Sequence, residues 1–145
     1  MNFADVNPTY ALLGGFHALS PTKTFAPVGA TTMEVQFRVA ASATPARVSG
    51  FGVVFSGVDR SRASKVEYYD ANGALLLTIA APVRVDETGH SFAGAVFDAG
   101  VVARVRVTTG QAPLGATTND VGQLRGTVDL VVMDDFLYTE PHPAK

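Results

Sequence analysis

Two carboxylates stand side by side in "DLVVMDDFLYTEPH", residues 129–142: Asp134 and Asp135, set between an apolar run and an aromatic one. Adjacent acids can serve as an acid–base pair, as ligands of a hard cation, or as the plain end of a strand. In an extended strand, neighbours point to opposite faces. Asp134 then sides with Leu130, Val132, Phe136 and Tyr138, and Asp135 with Val131, Met133 and Leu137. The two carboxylates diverge unless a bulge rotates one of them. A glycosidase needs two carboxylates facing one substrate across roughly 5 to 10 Å, which this dipeptide alone does not supply. One of the pair should fall on the core side, where a buried carboxylate needs hydrogen-bond donors or a cation. Calcium is the natural cation for oxygen-only ligands. Asp59, Asp5 and Asp70 are the carboxylates at strand ends that could join Asp134 and Asp135 around it. The competing reading is a strand leaving the core, with one carboxylate solvated and the other bonded to loop amides.

Other candidate groups are few. Tyr68 and Tyr69 point to opposite faces of one strand, so one belongs to the core and the other offers a ring on which a sugar could stack; cross-strand packing is the alternative. His17, His90 and His142 are scattered and show no paired ligand spacing. His90 precedes Ser91, but a Ser–His pair needs more than adjacency. "DANG" at 70–73 lacks the rest of a calcium loop. "GFGVVF" fails the dinucleotide fingerprint, and no nucleophile elbow occurs.

Composition narrows the field further. The chain has 145 residues, a net charge of −2 and 17% charged residues. That length suits one domain, here 1–145, with a core large enough to stand without staples. No basic surplus supports nucleic-acid binding or polybasic membrane docking. No run approaches the roughly 18 apolar residues of a membrane helix. Cysteine is absent, which removes disulfides, cysteine-based zinc sites and a cysteine nucleophile. No signal-like segment stands at the start, and Met1 leads directly into strand-like sequence, which reads as an excised domain.

The elements that must position these residues read almost wholly as strands. "TMEVQFRVA" puts Met33, Val35, Phe37 and Val39 on one face and Glu34, Gln36 and Arg38 on the other. "ARVSGFGVVFSGV", 46–58, carries Gly50 and Gly52 inside the run, a sign of a bulge or of close backbone approach. "KVEYYDANGALLLTIA" is a hairpin turning at Asn72-Gly73. "SFAGAVF" and "VVARVRVTT" flank a short turn at Asp98-Ala99-Gly100, and Arg104 and Arg106 form a stripe that could meet Glu34 and Gln36 across strands. The last strand covers about 127–138. Segments 1–30 and 110–126 are the least regular, the second reading as a long mobile loop, and 139–145 reads as a flexible tail. "SGVDRSRASK" holds at most one helical turn. Eight or so strands with tight turns predict an all-β antiparallel sandwich, a jelly roll in form. Both faces of 128–133 are apolar, which predicts a cover on the outer one: a loop, a flanking domain or a second copy of the chain.

The order of "GFGVVFSGVD", "SKVEYYDANGALL", "HSFAGAVFDAGVVARVRVTTG" and "DLVVMDDFLYTEP" resembles an uncharacterised bacterial family of secreted or surface β-sandwich domains, over roughly residues 46–140. The chain departs from that pattern at Gly57, where the family tends toward an acidic residue. The closing "DDF" is similar to the last strand of galactose-binding-like carbohydrate-binding modules, in which a nearby carboxylate helps hold a structural calcium. The first family carries no function over; the first expectation is a non-catalytic extracellular binding module, with a glycan as the best-guess ligand and calcium as structural cofactor. A structural or adhesive domain that meets other proteins or its own copies is the second expectation, and a hydrolase of unknown class is the third.

Overall fold

The computed structural model describes residues 16–20, 23–84, 89–115, 120–121 and 126–144. Among them there is no helix; the elements are β1 (Thr32–Gln36), β2 (Ala46–Arg47), β3 (Gly50–Ser56), β4 (Lys65–Tyr69), β5 (Leu75–Ala80), β6 (His90–Val96), β7 (Arg104–Thr108), β8 (Val132–Tyr138) and β9 (His142–Pro143). A four-stranded sheet runs β1-β7-β4-β5, a three-stranded sheet runs β6-β3-β8, and β2 pairs with β9. All of these strand pairings are antiparallel.

The period-two pattern decides which side chains meet. From the larger sheet, Val66 and Tyr68 of β4 and Val105 and Val107 of β7 turn inward. They face Phe51, Val53 and Phe55 of β3, Ala93 of β6 and Met133 of β8 in one shared core. The chain is therefore an all-β sandwich, as its alternation predicts. Each large apolar side chain withdrawn from water here contributes about 1.5–3 kcal/mol. On the opposite face of the larger sheet, Glu34 stands across from Arg106 and accepts from Arg104 Nη1 at 2.6 Å and Arg106 Nη2 at 2.9 Å. The expected Arg stripe is thus an exposed ion-pair network.

Several local expectations change in detail. The β4–β5 connection is organised by Asp70, whose carboxylate accepts from the amides of Asn72 and Ala74 at 2.8 Å each, with Gly73 at φ +81°. The turn is therefore longer than a two-residue hairpin loop. The short turn at 98–100 does not close a hairpin, because β6 and β7 lie in different sheets and the chain crosses the core there. Residues 139–144 are pinned rather than loose. Thr139 Oγ1 accepts from the amides of Ser49 and Gly50, and β9 pairs with β2.

Candidate functional site

The carboxylates that converge are Asp59, Asp120 and Asp129, each offering an oxygen within 4.8 Å of the other two. Asp59 follows the end of β3, Asp129 precedes β8, and the β3–β8 pairing brings those two corners together. Asp120 arrives from the β7–β8 connection through a parallel bridge to Val128. The local backbone fixes the arrangement. The Asp129 carboxylate accepts from the amides of Asp59 and Arg60, both at 3.1 Å, and the Asp120 carboxylate accepts from the Leu130 amide at 2.8 Å. Gln111 clamps Asp129 from the other side: its amide donates to the Asp129 carbonyl at 2.8 Å, and its Oε1 accepts from the Asp129 amide at 3.1 Å and from Arg60 Nη1 at 2.9 Å. Gly110, at φ +64°, lies so close that a Cβ there would strike the Asp129 carbonyl oxygen.

Asp120 and Asp129 are buried and Asp59 is half-buried. Burial pushes the Asp129 carboxyl up to about 6; the charges of Asp59 and Asp120 push the same way, and the two amide donors oppose them. Burial and then the Asp120 charge raise Asp59 as well. Three mutually repelling carboxylates in a half-dry corner are relieved by a proton or by a cation. The donor set is all oxygen and suits calcium or another hard divalent ion, with water filling the remaining positions.

Asp59 was the single member of this group expected from the sequence. Asp129 heads the "DLVVMDDF" stretch but reads there as one more strand residue, and Asp120 lies in the patternless 110–126 segment. Asp134 and Asp135 do not join the cluster. Between Val53 and Phe55 the β3–β8 register slips, so that Asp134 and Asp135 together oppose Val54. This is a β-bulge, and it corrects the expected divergence of the two side chains. Both reach one hydroxyl: Ser20 Oγ lies 3.1 Å from Asp134 Oδ1 and 2.9 Å from Asp135 Oδ1. Asp134, 2% exposed, also accepts from the amides of Leu19 and Ser20. Through these protein donors the pair serves as a clamp for a loop. Asp70 is engaged in its own turn, and Asp5 lies outside the described residues.

The clamped loop is the cover expected over the last strand. His17 donates its amide to Ser56 Oγ at 2.8 Å, His90 Nε2 bonds the His17 carbonyl at 2.8 Å, and the Phe16 ring rests against Gly57. On this outer side Leu130 and Val132 are buried, while Val131 and Met133 belong to the inter-sheet core. His90 and Ser91 diverge, Ser91 bonding the Pro82 carbonyl, and His142 lies in β9. No histidine ring thus bonds a serine among the described residues.

The two tyrosines expected at a ligand surface separate. Tyr68 is fully buried, its hydroxyl donating to the Phe51 carbonyl at 2.8 Å, so its ring has no face for a ligand. Tyr69 carries Arg104 over its ring, 4.1 Å from the centroid, and so lacks a free face on that side. Exposed rings occur elsewhere. On the outer face of the three-stranded sheet Gly52 and Gly94 stand opposite each other, and the Phe92 ring lies over both, where any Cβ would collide with it. Around them Phe92 is 54%, Val96 80% and Leu137 53% exposed, whereas Tyr138, opposite Phe51, turns toward the inner side.

Comparison with protein-family models, curated proteins and solved structures finds no match. No helix of the described residues is long and apolar enough to cross a membrane.

Proposed function

We propose that this chain is a non-catalytic binding module of the jelly-roll type, working outside a bacterial cell with a calcium ion at Asp59, Asp120 and Asp129. The observation that carries the calcium part is the convergence of three carboxylate oxygens within 4.8 Å at the corner joining β3 to β8. Such a site suits the millimolar calcium met by extracellular modules. The non-catalytic reading is supported by how fully the chemical groups are engaged in holding the fold: Asp134 holds the covering loop, Ser56 accepts from His17, and Ser91 is turned to Pro82.

The test is a thermal melt of chelator-treated protein with and without added calcium. A ligand that binds only the folded state raises the melting temperature by mass action. A rise that is lost in Asp129→Asn and in Asp120→Asn supports the site, whereas a rise that persists in both variants, or no rise at all, overturns it.

The binding surface is the uncovered part of the outer face of β6-β3-β8, around Phe92, Val96 and Leu137. A glycan would stack there on the exposed ring of Phe92. A second reading is favoured by Val96 and Leu137, which extend the patch with apolar side chains; exposed apolar patches of this kind mark contacts between proteins. Sedimentation velocity separates the two. Self-association abolished by Leu137→Asp supports the adhesive reading. A monomer whose Phe92 resonances move with a glycan supports the first.

A further inference from the structure

A second cavity is independent of the calcium corner and of the outer face. It lies between the end strands of the two sheets, β1 and β8, and has a volume of 340 Å³, with walls from Met33, Val35, Phe51, Phe136 and Tyr138 and one cation, Arg38. In a fully closed sandwich the inward residues of β1 would interlock with those of β8. Here Met33, Val35 and Phe136 remain half-buried. The rings around the opening are loosely set, with centroids 6.2 Å apart for Phe37–Phe51, 6.1 Å for Phe37–Tyr138 and 6.3 Å for Phe51–Phe136. Those spacings lie toward the upper end of the preferred aromatic range, and a further ring inserted among them would gain edge-to-face contacts on several sides.

Arg38 defines the polar end. Its Nη1 donates to the Ala43 carbonyl, and among the described residues no carboxylate pairs with it. Among the described residues no acidic side chain lines the cavity. A guanidinium beside an apolar, ring-lined space is complementary to a planar anion attached to an aromatic body. The volume stands near the lower limit for small-molecule sites, which begins at about 300 Å³. It therefore suits a single ring with a short acid arm.

We propose that this inter-sheet cleft binds a small aromatic carboxylate, its ring among Phe37, Phe51, Phe136 and Tyr138 and its carboxylate on Arg38. The site does not depend on calcium at Asp59, Asp120 and Asp129, and chelator-treated protein should retain it.

Phenylacetate and its neutral counterpart, phenethyl alcohol, test this when titrated into the full chain and followed by the NMR signals of the Met33 and Val35 methyl groups. The acid should bind about tenfold more tightly than the alcohol, and added salt should narrow the gap. Arg38→Gln, a change at an exposed position, should bring the acid down to the affinity of the alcohol and leave the alcohol unchanged. Val35→Phe should fill the cleft and weaken both. Equal affinities in the unaltered protein, an acid advantage that survives Arg38→Gln, or methyl signals that move with neither compound would each overturn the proposal.

Discussion

The amide of Asp59 donates to the carboxylate of Asp129 at 3.1 Å, while the carboxylate of Asp59 stands within 4.8 Å of the same group. One residue thus stabilises the charged form of its neighbour through its backbone and opposes it through its side chain. Burial tips the balance, holding the Asp129 carboxyl at about 6 against an ordinary value of 3.8.

The sign of the resulting pH dependence follows. Between 3.8 and about 6 the folded protein keeps a proton on Asp129 that the unfolded chain has released, so stability falls as pH rises through that window and levels off above it. Urea melts of chelator-treated protein at about pH 5 and about pH 7 should show this loss, and Asp129→Asn should remove it. Calcium should restore stability at the higher pH by favouring the ionised form. A pH dependence identical in protein and variant would contradict the assignment.

Asp134 is the anchor of the covering loop. Asp134→Ala leaves the Leu19 and Ser20 amides without their acceptor and should cost about 2–3 kcal/mol. Hydrogen exchange at residues 17–20 should speed up far more than at the centre of β3. Uniform acceleration across both regions would mean that the loop is no separate unit.

Gly94 and Phe92 are coupled through the ring that covers the glycine pair. Gly94→Ala should displace that ring and cost about 1 kcal/mol, and in the Phe92→Ala background the same change should cost less. Denaturant melts of the four proteins in this cycle give the coupling directly; strict additivity would show that the ring carries no energetic weight there.

The Tyr68 hydroxyl, pushed up to about 12 by burial, should be the source of a late ultraviolet ionisation step that Tyr68→Phe removes. That variant should also lose about 1 kcal/mol with its bond to the Phe51 carbonyl. A step unchanged in the variant would place the late ionisation on another tyrosine.

What could be seen in the sequence was local. Alternation in "TMEVQFRVA" and "VVARVRVTT" identified β1 and β7 and even the meeting of Glu34 with the Arg stripe, because period two is a property of neighbouring residues. The convergence of Asp59, Asp120 and Asp129 was hidden because it depends on the pairing of β3 with β8, far apart in the chain. The bulge at Asp134 and Asp135 was hidden for a related reason. A register slip is set by the partner strand and by the Ser20 loop that fastens it, and two adjacent aspartates look the same with or without one.

The strand order also sets a schedule for biosynthesis. The larger sheet can assemble once Thr108 has been made, since β1, β4, β5 and β7 all precede that point. The smaller sheet waits for β8 and Tyr138, about 30 residues later, or a few seconds at typical rates of translation. During that interval the inner faces of β3 and β6 lack their last partner, and the covering loop lacks the aspartates that fasten it. A ribosome carrying this chain therefore exposes a half-finished sandwich, and the nascent protein is most in need of a chaperone just before its closing strand emerges.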